Sequence, residues 1–457
     1  MSAARLTTVD EDVRLAHAAD ASGLRMIPEL VARPASEAEL VEVMREASSS
    51  RTPVTAAGGQ TSTTAASITD RGILLSLRAM DGIVDVDPER RTMRVRAGAL
   101  LGDVKRRAAE HGLMFAPDPT SEEESTVGGA IACNASGART LAYGATRAHV
   151  AAVRAVLADG TVLDARRPRL EKNTAGYALA ADPVDWFVGS EGTLGIVTEA
   201  ELSLLPQPGY VVGLAVPFAD EAGALAFVAA ARRSAGLRPR CLEFFDQRAS
   251  EIFAAVGDGD APAGAGSIVY VEEAADRAED VPLDGWLELA ESRGAAAGDV
   301  IAYEGEAALR AARRRRHSVP ATMNERGARY RVAGGRKVST DWAVPYERLA
   351  EVVAFARRAA ERAGVEQAVT YGHAGNGHPH QNFVARDADE LARIEAVVEE
   401  TLHVVMRQGG TVAAEHGVGK LKRRWLPLQA SALQLGVMRA VKRELDPHWL
   451  LAPGNVL

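Results

Sequence analysis

A chain of 457 residues with 47% hydrophobic and 25% charged residues is globular in composition and too long for one ordinary core, so two or three domains are expected. A net charge of −8, with no obvious basic face, excludes a general nucleic-acid binder. Two cysteines, Cys133 and Cys241, exclude a disulfide framework, a zinc ribbon and a four-cysteine iron–sulfur cluster, so any iron–sulfur relay belongs to another protein. No apolar run reaches the ~18 residues of a membrane helix, and the start of the chain lacks the apolar core of a signal peptide. A cytoplasmic protein without a membrane span is expected.

The spacing predicts a first helix over 36–50, capped by Ser36, with Glu39 three residues on and an apolar stripe of Leu40, Val43 and Met44. Pro53-Val54-Thr55-Ala56 reads as a strand that enters Ala57-Gly58-Gly59-Gln60-Thr61-Ser62, a tight loop of small residues. Strands over 73–77 and 92–96 follow from their β-branched, alternating character, and a helix over 102–111 is ended by Gly112. Pro117-Asp118-Pro119-Thr120 opens a long irregular segment that leads to Ser125-Thr126-Val127-Gly128-Gly129-Ala130-Ile131-Ala132-Cys133-Asn134-Ala135-Ser136-Gly137. Such a run exposes backbone N–H groups and lets a ligand lie against the main chain. A hairpin is predicted from 150–157 and 161–163 around Asp159-Gly160. Val188-Gly189-Ser190-Glu191-Gly192-Thr193-Leu194-Gly195 is a third glycine-rich loop, entering a strand, and Pro206 and Pro208 mark a boundary.

Beyond 209 the composition changes. Strands are predicted over 211–216 and 267–271, helices over 221–235, 306–317, 346–363 and 387–407, a surface loop over 257–266, and a last helix over 428–445. Five of the ten histidines lie between His373 and His416. Gly372, Gly375, Gly377 and Pro379 rule out a helix there, and the glycines let the backbone turn His373 back toward His380. Two imidazoles and the carboxylate of Glu415 are a sound ligand set for a divalent metal such as zinc, with positions left open for substrate. Hydrogen-bonded loop histidines are the bland alternative; the cluster on glycine turns favours a functional site. The basic run Arg313 to Arg316 reads either as a solvated helix face or as a site for an anionic substrate. None of the three glycine loops is Gly-x-Gly-x-x-Gly after a strand and none is a Walker loop, so neither a Rossmann site nor a P-loop ATPase is supported. Three such loops separated by strands suggest a large ligand with a pyrophosphate laid along backbone amides.

The stretches 53–62, 117–137 and 187–206 resemble the flavin-binding loops of the vanillyl-alcohol-oxidase-type (PCMH-type) FAD family, the FAD-linked oxidases. Phe187-Val188-Gly189-Ser190-Glu191-Gly192-Thr193-Leu194-Gly195-Ile196-Val197-Thr198-Glu199 carries that resemblance most specifically. Tyr371-Gly372-His373-Ala374-Gly375-Asn376-Gly377-His378-Pro379-His380, Ala414-Glu415-His416-Gly417-Val418-Gly419-Lys420 and the tail from Asp446-Pro447 to Asn455 resemble the branch that oxidises D-2-hydroxy acids. That branch holds glycolate oxidase flavoprotein subunits, D-lactate dehydrogenases and D-2-hydroxyglutarate dehydrogenases. The resemblance implies an α+β fold: a two-subdomain PCMH-type FAD-binding domain over 1–208, an α+β cap domain with an antiparallel sheet and the metal site over 209–425, and a C-terminal segment over 426–457 returning to the FAD domain.

It implies non-covalent FAD, since 53–67 holds no His or Cys. Ala57, Gly58, Gly59, Gln60, Thr61 and Ser62 would hold the pyrophosphate. Pro117, Thr126, Gly128, Gly129, Asn134 and Ser136 would line the isoalloxazine and ribityl region. Gly192, Gly195, Ile196 and Val197 would meet the adenosine half, with Asn455 joining from the tail. The chain departs from the family pattern at Ala65 and Ala178, and His378 stands where many relatives have Asn.

By the same resemblance His373, His380 and Glu415 would bind a divalent metal, zinc or manganese, and His416 would be the general base while hydride passes to flavin N5. Arg315 or Arg316, a few residues before Val319-Pro320, would pair with the substrate carboxylate, with Lys337 and Asn382 as further contacts. His378 is read as a partner of the ligands, with a spare ligand as the alternative. A separate electron acceptor is implied: a quinone, an electron-transfer flavoprotein or an iron–sulfur subunit. A homodimer is left open. Two rival readings are a non-redox FAD-dependent transferase of the alkyl-glycerone-phosphate synthase type and a metal hydrolase built on the histidines alone; the second leaves the glycine loops unexplained.

Overall fold

The computed structural model describes residues 6–256, 262 and 264–457. Most of the loop expected over 257–266 thus lies outside the described residues. The chain forms two compact units: the first is Met1–Gly137, Gly144–Gln207 and Glu415–Leu457, the second Ala138–Tyr143 and Pro208–Ala414. It re-enters the first unit at Glu415, where the sequence reading put the return at 426. Among the described residues no helix is long and apolar enough to cross a membrane.

The first unit holds a four-stranded sheet in the order Thr7–Thr8, Leu30–Ala32, Ile73–Ser76, Val54–Ala57, with the last three strands parallel. Helix Glu37–Ser50 packs Leu40, Val43, Met44 and Ala47 on it. Ser36 accepts the Glu39 amide at 3.3 Å, and the Glu39 carboxylate reaches back to the Ala35 amide at 2.7 Å, so the helix start is fixed by local chemistry. The tail closes the sheet edge: Val54 N donates to Leu450 O (2.8 Å) and Ala452 N to Val54 O (2.7 Å). A five-stranded antiparallel sheet follows the order Ile83–Asp87, Thr92–Arg96, Ile196–Ser203, Val150–Val156, Val162–Arg166, with the expected hairpin at Asp159-Gly160. The segment read as irregular contains helix Val127–Cys133, because Thr126 caps it at Gly129 N. Gly128 allows that helix to approach closely, since a Cβ there would lie 2.8 Å from the Ala97 methyl.

The second unit is built on a seven-stranded antiparallel sheet, ordered Ile301–Glu304, Tyr210–Phe218, Ser267–Ala275, Pro239–Phe245, Gln367–His373, His378–Asp387, Gly334–Ser339. Helices Gln247–Ala255 and Gly305–Ala328 cover one face, burying Cys241, Phe245, Tyr270, Val369 and Tyr371. The second of these was predicted to end at 317, yet it runs on through Pro320 to Ala328. A mid-helix proline costs about 3 kcal/mol. Burying Val319 and Met323 completely, each worth roughly 1.5–3 kcal/mol, offsets it. The predicted last helix is broken into Leu426–Gln429 and Ala432–Leu445, because Ser431 and Gln434 form a capping box that starts a new helix.

One buried side chain ties distant parts of the first unit. Glu191, at φ +52°, accepts the amides of Val418 (2.6 Å) and Gly419 (2.7 Å). Glu191→Ala strands both donors; it is expected to cost about 2–4 kcal/mol, lowering Tm by roughly 5–15 °C in thermal unfolding, with Glu191→Gln retaining part of the loss.

Candidate active site

In an antiparallel sheet, residues opposed across two strands share a face. Tyr371 opposes His380 and His373 opposes His378, so these three histidines project from one face of the second unit. Their ring centroids lie 5.4 Å (His373–His378), 5.3 Å (His373–His380) and 4.6 Å (His378–His380) apart. Each offers a ring nitrogen within 4.8 Å of the others'. The turn that permits this is Ala374–Asn376 followed by Gly377 at φ +69°, where a Cβ would strike Val344 O.

Glu243, fully buried on strand Pro239–Phe245, fixes one of these rings. His373 Nδ1 donates to its Oε1 at 2.7 Å, and Arg316 Nε donates to its Oε2 at 2.6 Å. Burial pushes the Glu243 pKa up, but Arg316 and then His373 draw it down to about 2, so it stays ionised. Since a carboxylate only accepts, His373 carries its proton on Nδ1 and presents the Nε2 lone pair. His378 Nε2 lies 3.3 Å from Asp341 Oδ1, and His380 Nδ1 lies 3.4 Å from Thr340 O. Asn382 Nδ2 donates to His380 O at 3.1 Å, while its Oδ1 is enclosed with no hydrogen-bond partner among the described residues. Three converging imidazoles, one locked by a carboxylate, beside an unsatisfied amide oxygen fit a divalent metal and a polar ligand.

The four consecutive arginines separate in function. Arg315 turns away from the histidines: it donates to the carbonyls of Phe253 (3.4 Å), Ala254 (3.2 Å) and Val256, closing the end of helix Gln247–Ala255. Arg316 is the one beside the histidines, its Nη2 3.5 Å from His373 Nδ1. Lys337 opposes Val384 and Ser339 opposes Asn382, which sets Lys337 on the same face. Its Nζ donates to Asn324 Oδ1 at 2.8 Å, and burial lowers its pKa to about 8.

In the first unit the three glycine-rich runs converge. A Cβ on Gly58 would lie 2.1 Å from Thr126 Oγ1, and one on Gly59 2.0 Å from Glu124 O, so only glycine lets the first run lie against the second. Gly189 N donates to Ile131 O (2.9 Å) and Glu191 N to Ala132 O (2.8 Å), which joins the third. Several expected cofactor residues are engaged within the chain. Gln60 Nε2 donates to His17 O and Ala19 O, Asn134 Oδ1 accepts Arg147 N, Thr61 shares a hydroxyl contact with Ser125, and a Cβ on Gly195 would meet Phe187. Asn455 Nδ2 donates to Ala66 O at 2.9 Å and Lys420 Nζ to Asn455 Oδ1 at 2.8 Å. Gly192 takes φ +71°, and Ile196 and Val197 are buried in a strand. Among the described residues, the backbone amides of 58–62 have no partner in the chain. A curved run of such donors fits a pyrophosphate. Beside these runs, Ser136 Oγ donates to Glu415 Oε2 at 3.3 Å, and His416 Nε2 lies 3.5 Å from Glu415 Oε1. Burial, then Glu191 and Asp20, raise the Cys133 thiol to about 12, which leaves it inert.

Sequence reasoning missed Glu243 and the strand that carries it. The available signal was a single acid inside the apolar run Cys241-Leu242-Glu243-Phe244-Phe245, a placement that needs a buried partner.

The chain belongs to the FAD-linked oxidase family: the description "FAD linked oxidases, C-terminal domain" matches residues 207–456, and "FAD binding domain" matches 28–166. It is a flavin-dependent oxidoreductase. It is 34% identical to a D-2-hydroxyglutarate dehydrogenase of Xanthomonas citri pv. viticola, over 94% of this chain and 89% of that one. It is 33% identical to a D-lactate dehydrogenase of Archaeoglobus fulgidus (94% and 91%) and 31% identical to glycolate oxidase subunit GlcD of Bacillus subtilis (97% and 92%). An alkyldihydroxyacetonephosphate synthase structure (TM-score 0.75, 17% identity, 98% of this chain and 82% of that one) and a p-cresol methylhydroxylase structure (0.74, 16%, 99% and 94%) share the PCMH-type fold.

Lys337 is a cation below about pH 8 and neutral above it. Binding of a small carboxylate such as oxalate is therefore expected to weaken by about 10-fold as pH rises from ~7 to ~10, and Lys337→Met to flatten that dependence, as read by ligand titration.

Proposed function

We propose that this protein oxidises a small D-2-hydroxy acid, of the lactate, glycolate or 2-hydroxyglutarate type, to the 2-oxo acid. The observation that carries the reading is the gathering of Arg316, Lys337, Asn382 and three imidazoles on one sheet face of a family member that uses FAD. When bound, FAD takes up two electrons with the α-hydrogen, and a divalent zinc or manganese ion lowers the pKa of the substrate hydroxyl.

The chain's own part is positioning and proton transfer. The amides of 58–62 hold the pyrophosphate, with Ala57 at the head of that loop. Pro117, Thr126, Gly128, Gly129, Asn134 and Ser136 border the flavin ring and ribityl chain, and Gly192, Gly195, Ile196 and Val197 the adenosine half. Asn455 acts through the loops it ties rather than by contact. His373 and His380 would hold the metal, with Glu415 as its carboxylate ligand and His378 as their partner. Arg316 pairs with the substrate carboxylate, Lys337 adds a second cation, and Asn382 Oδ1 accepts a substrate proton donor. Arg315 has no part in this reading, because its guanidinium closes a helix end. His416 takes the hydroxyl proton. For Glu415 and His416 the support is residue chemistry and the bond from Ser136. Electrons leave to a separate acceptor.

Anaerobic addition of D-lactate, glycolate and D-2-hydroxyglutarate tests the reading. At least one should bleach the flavin, and bleaching by none would instead favour non-redox transferase chemistry. His416→Ala should keep flavin and metal yet slow bleaching about 100-fold or more. Glu243→Gln, which releases the His373 ring, should weaken metal retention about 10–100-fold in chelator competition. Glu415→Gln should lower metal content outright, and a normal content removes that residue from the ligand set.

A further inference from the structure

A helix is ordinarily held in a fold by burying an apolar stripe. The last helix of the first unit, Ala432–Leu445, is not. Eight of its 14 residues are apolar, none of the eight is buried, and the one buried side chain it carries is Lys442. A polar anchor holds it instead: Lys442 Nζ donates to Thr193 O (2.6 Å), Asp446 Oδ2 (2.6 Å) and Leu451 O (3.0 Å).

Helical phase sorts the apolar residues into two stripes. Leu435, Met438, Val441 and Leu445 are half-buried and lie on the side of Lys442. Leu433, Val437 and Ala440 stand at i, i+4 and i+7 on the other side, with Leu433 79% and Val437 46% exposed. Arg439 and Arg443, four residues apart, flank that outer stripe and are exposed as well. Just past the helix end, Trp449 is also exposed.

Charge follows the same division. Residues 421–457 hold six Lys and Arg against two acids, a net +4, which leaves −12 on residues 1–420 to make up the chain's −8. Lys422, Lys442 and Asp446 are buried, so what reaches the surface is Arg423, Arg424, Arg439 and Arg443 against Glu444. A second copy of the chain packed here about a two-fold axis would set this positive face against itself. An outward apolar stripe flanked by arginines, with a tryptophan at its end, fits the surface of an anionic bilayer, where such a helix lies flat.

We propose that the face of helix Ala432–Leu445 that carries Leu433, Val437 and Ala440 docks on an anionic lipid bilayer, with Arg439 and Arg443 meeting the headgroups. The contact is peripheral, since among the described residues no helix is long and apolar enough to cross a membrane. It goes beyond the hydroxy-acid reading and does not depend on it.

The test is co-sedimentation of the flavin-loaded full chain with vesicles of phosphatidylcholine, alone or mixed equally with phosphatidylglycerol. A surplus of three exposed cations, at about 5-fold each, predicts binding about 100-fold tighter to the mixed vesicles. That binding should be lost as salt rises from ~20 mM to ~500 mM. Leu433→Gln combined with Val437→Gln should weaken it about 10-fold or more, and Arg439→Gln combined with Arg443→Gln should do the same. All four side chains are exposed, so flavin content and Tm should stay at native values in both variants. Equal binding to the two vesicle types, or helix variants that bind as the native protein does, overturns the proposal. A native protein that stays in the supernatant with both vesicles overturns it as well, and makes an acidic protein the better match for this face.

Discussion

The chemistry of the second unit depends on the alternation of side chains across an antiparallel sheet. Tyr371, His373, His380 and Asn382 reach one face because their strands pair in a single register, and a slip of one residue would turn all of them away. The same alternation brings Glu243 and Glu272 to that face from the next two strands. Helix Gly305–Ala328 lies over it and supplies the cations, one turn apart. A face so charged is a poor way to gain stability, because apolar residues of similar volume would serve folding as well or better. Its worth is orientation: a carboxylate that accepts from both His373 and Arg316 fixes two side chains with one group.

The first unit solves a different problem, how to hold backbone donors open. Gly58, Gly59 and Gly128 are needed because neighbouring chain comes too close for a Cβ. The result is a loop whose amides from 58 to 62 meet no acceptor among the described residues. Unpaired donors weaken a fold, so the surrounding runs are tied elsewhere: Glu191 on the amides of Val418 and Gly419, Lys420 on Ala65 O and Asn455, and Lys442 on Thr193 O, Asp446 and Leu451 O. Flavin binding then contributes stability by mass action to a unit that is incomplete without it.

How much of this could be read in the sequence follows from the range of each interaction. The Ser36 helix, the Asp159-Gly160 hairpin and the turn that brings His373 to His380 are set within a few residues and were legible. The glycine runs were legible as tight loops, and they do pack closely on one another, with Gln60, Thr126 and Asn134 bonded within the chain. The helix past Pro320 was not legible, because what carries it through is burial against a sheet assembled from distant strands. Nor could four consecutive arginines be told apart from their names. Helical phase sends Arg315 to a helix end and Arg316 to Glu243, and phase has meaning only once the partners are in place.

Glu243 and Glu272 show why the partner set, rather than the acid itself, decides a role. Both are buried, both lie on the same face, and both are held ionised by arginine. Glu243 has one arginine and one histidine, so its charge is spent on holding a ring and a guanidinium in place. Glu272 is met by Arg139 and Arg240, with Arg313 3.9 Å away. The two acids therefore divide the work: Glu243 orients a ring and a guanidinium of the histidine centre, and Glu272 ties Arg139, Arg240 and Tyr270 together one strand further on.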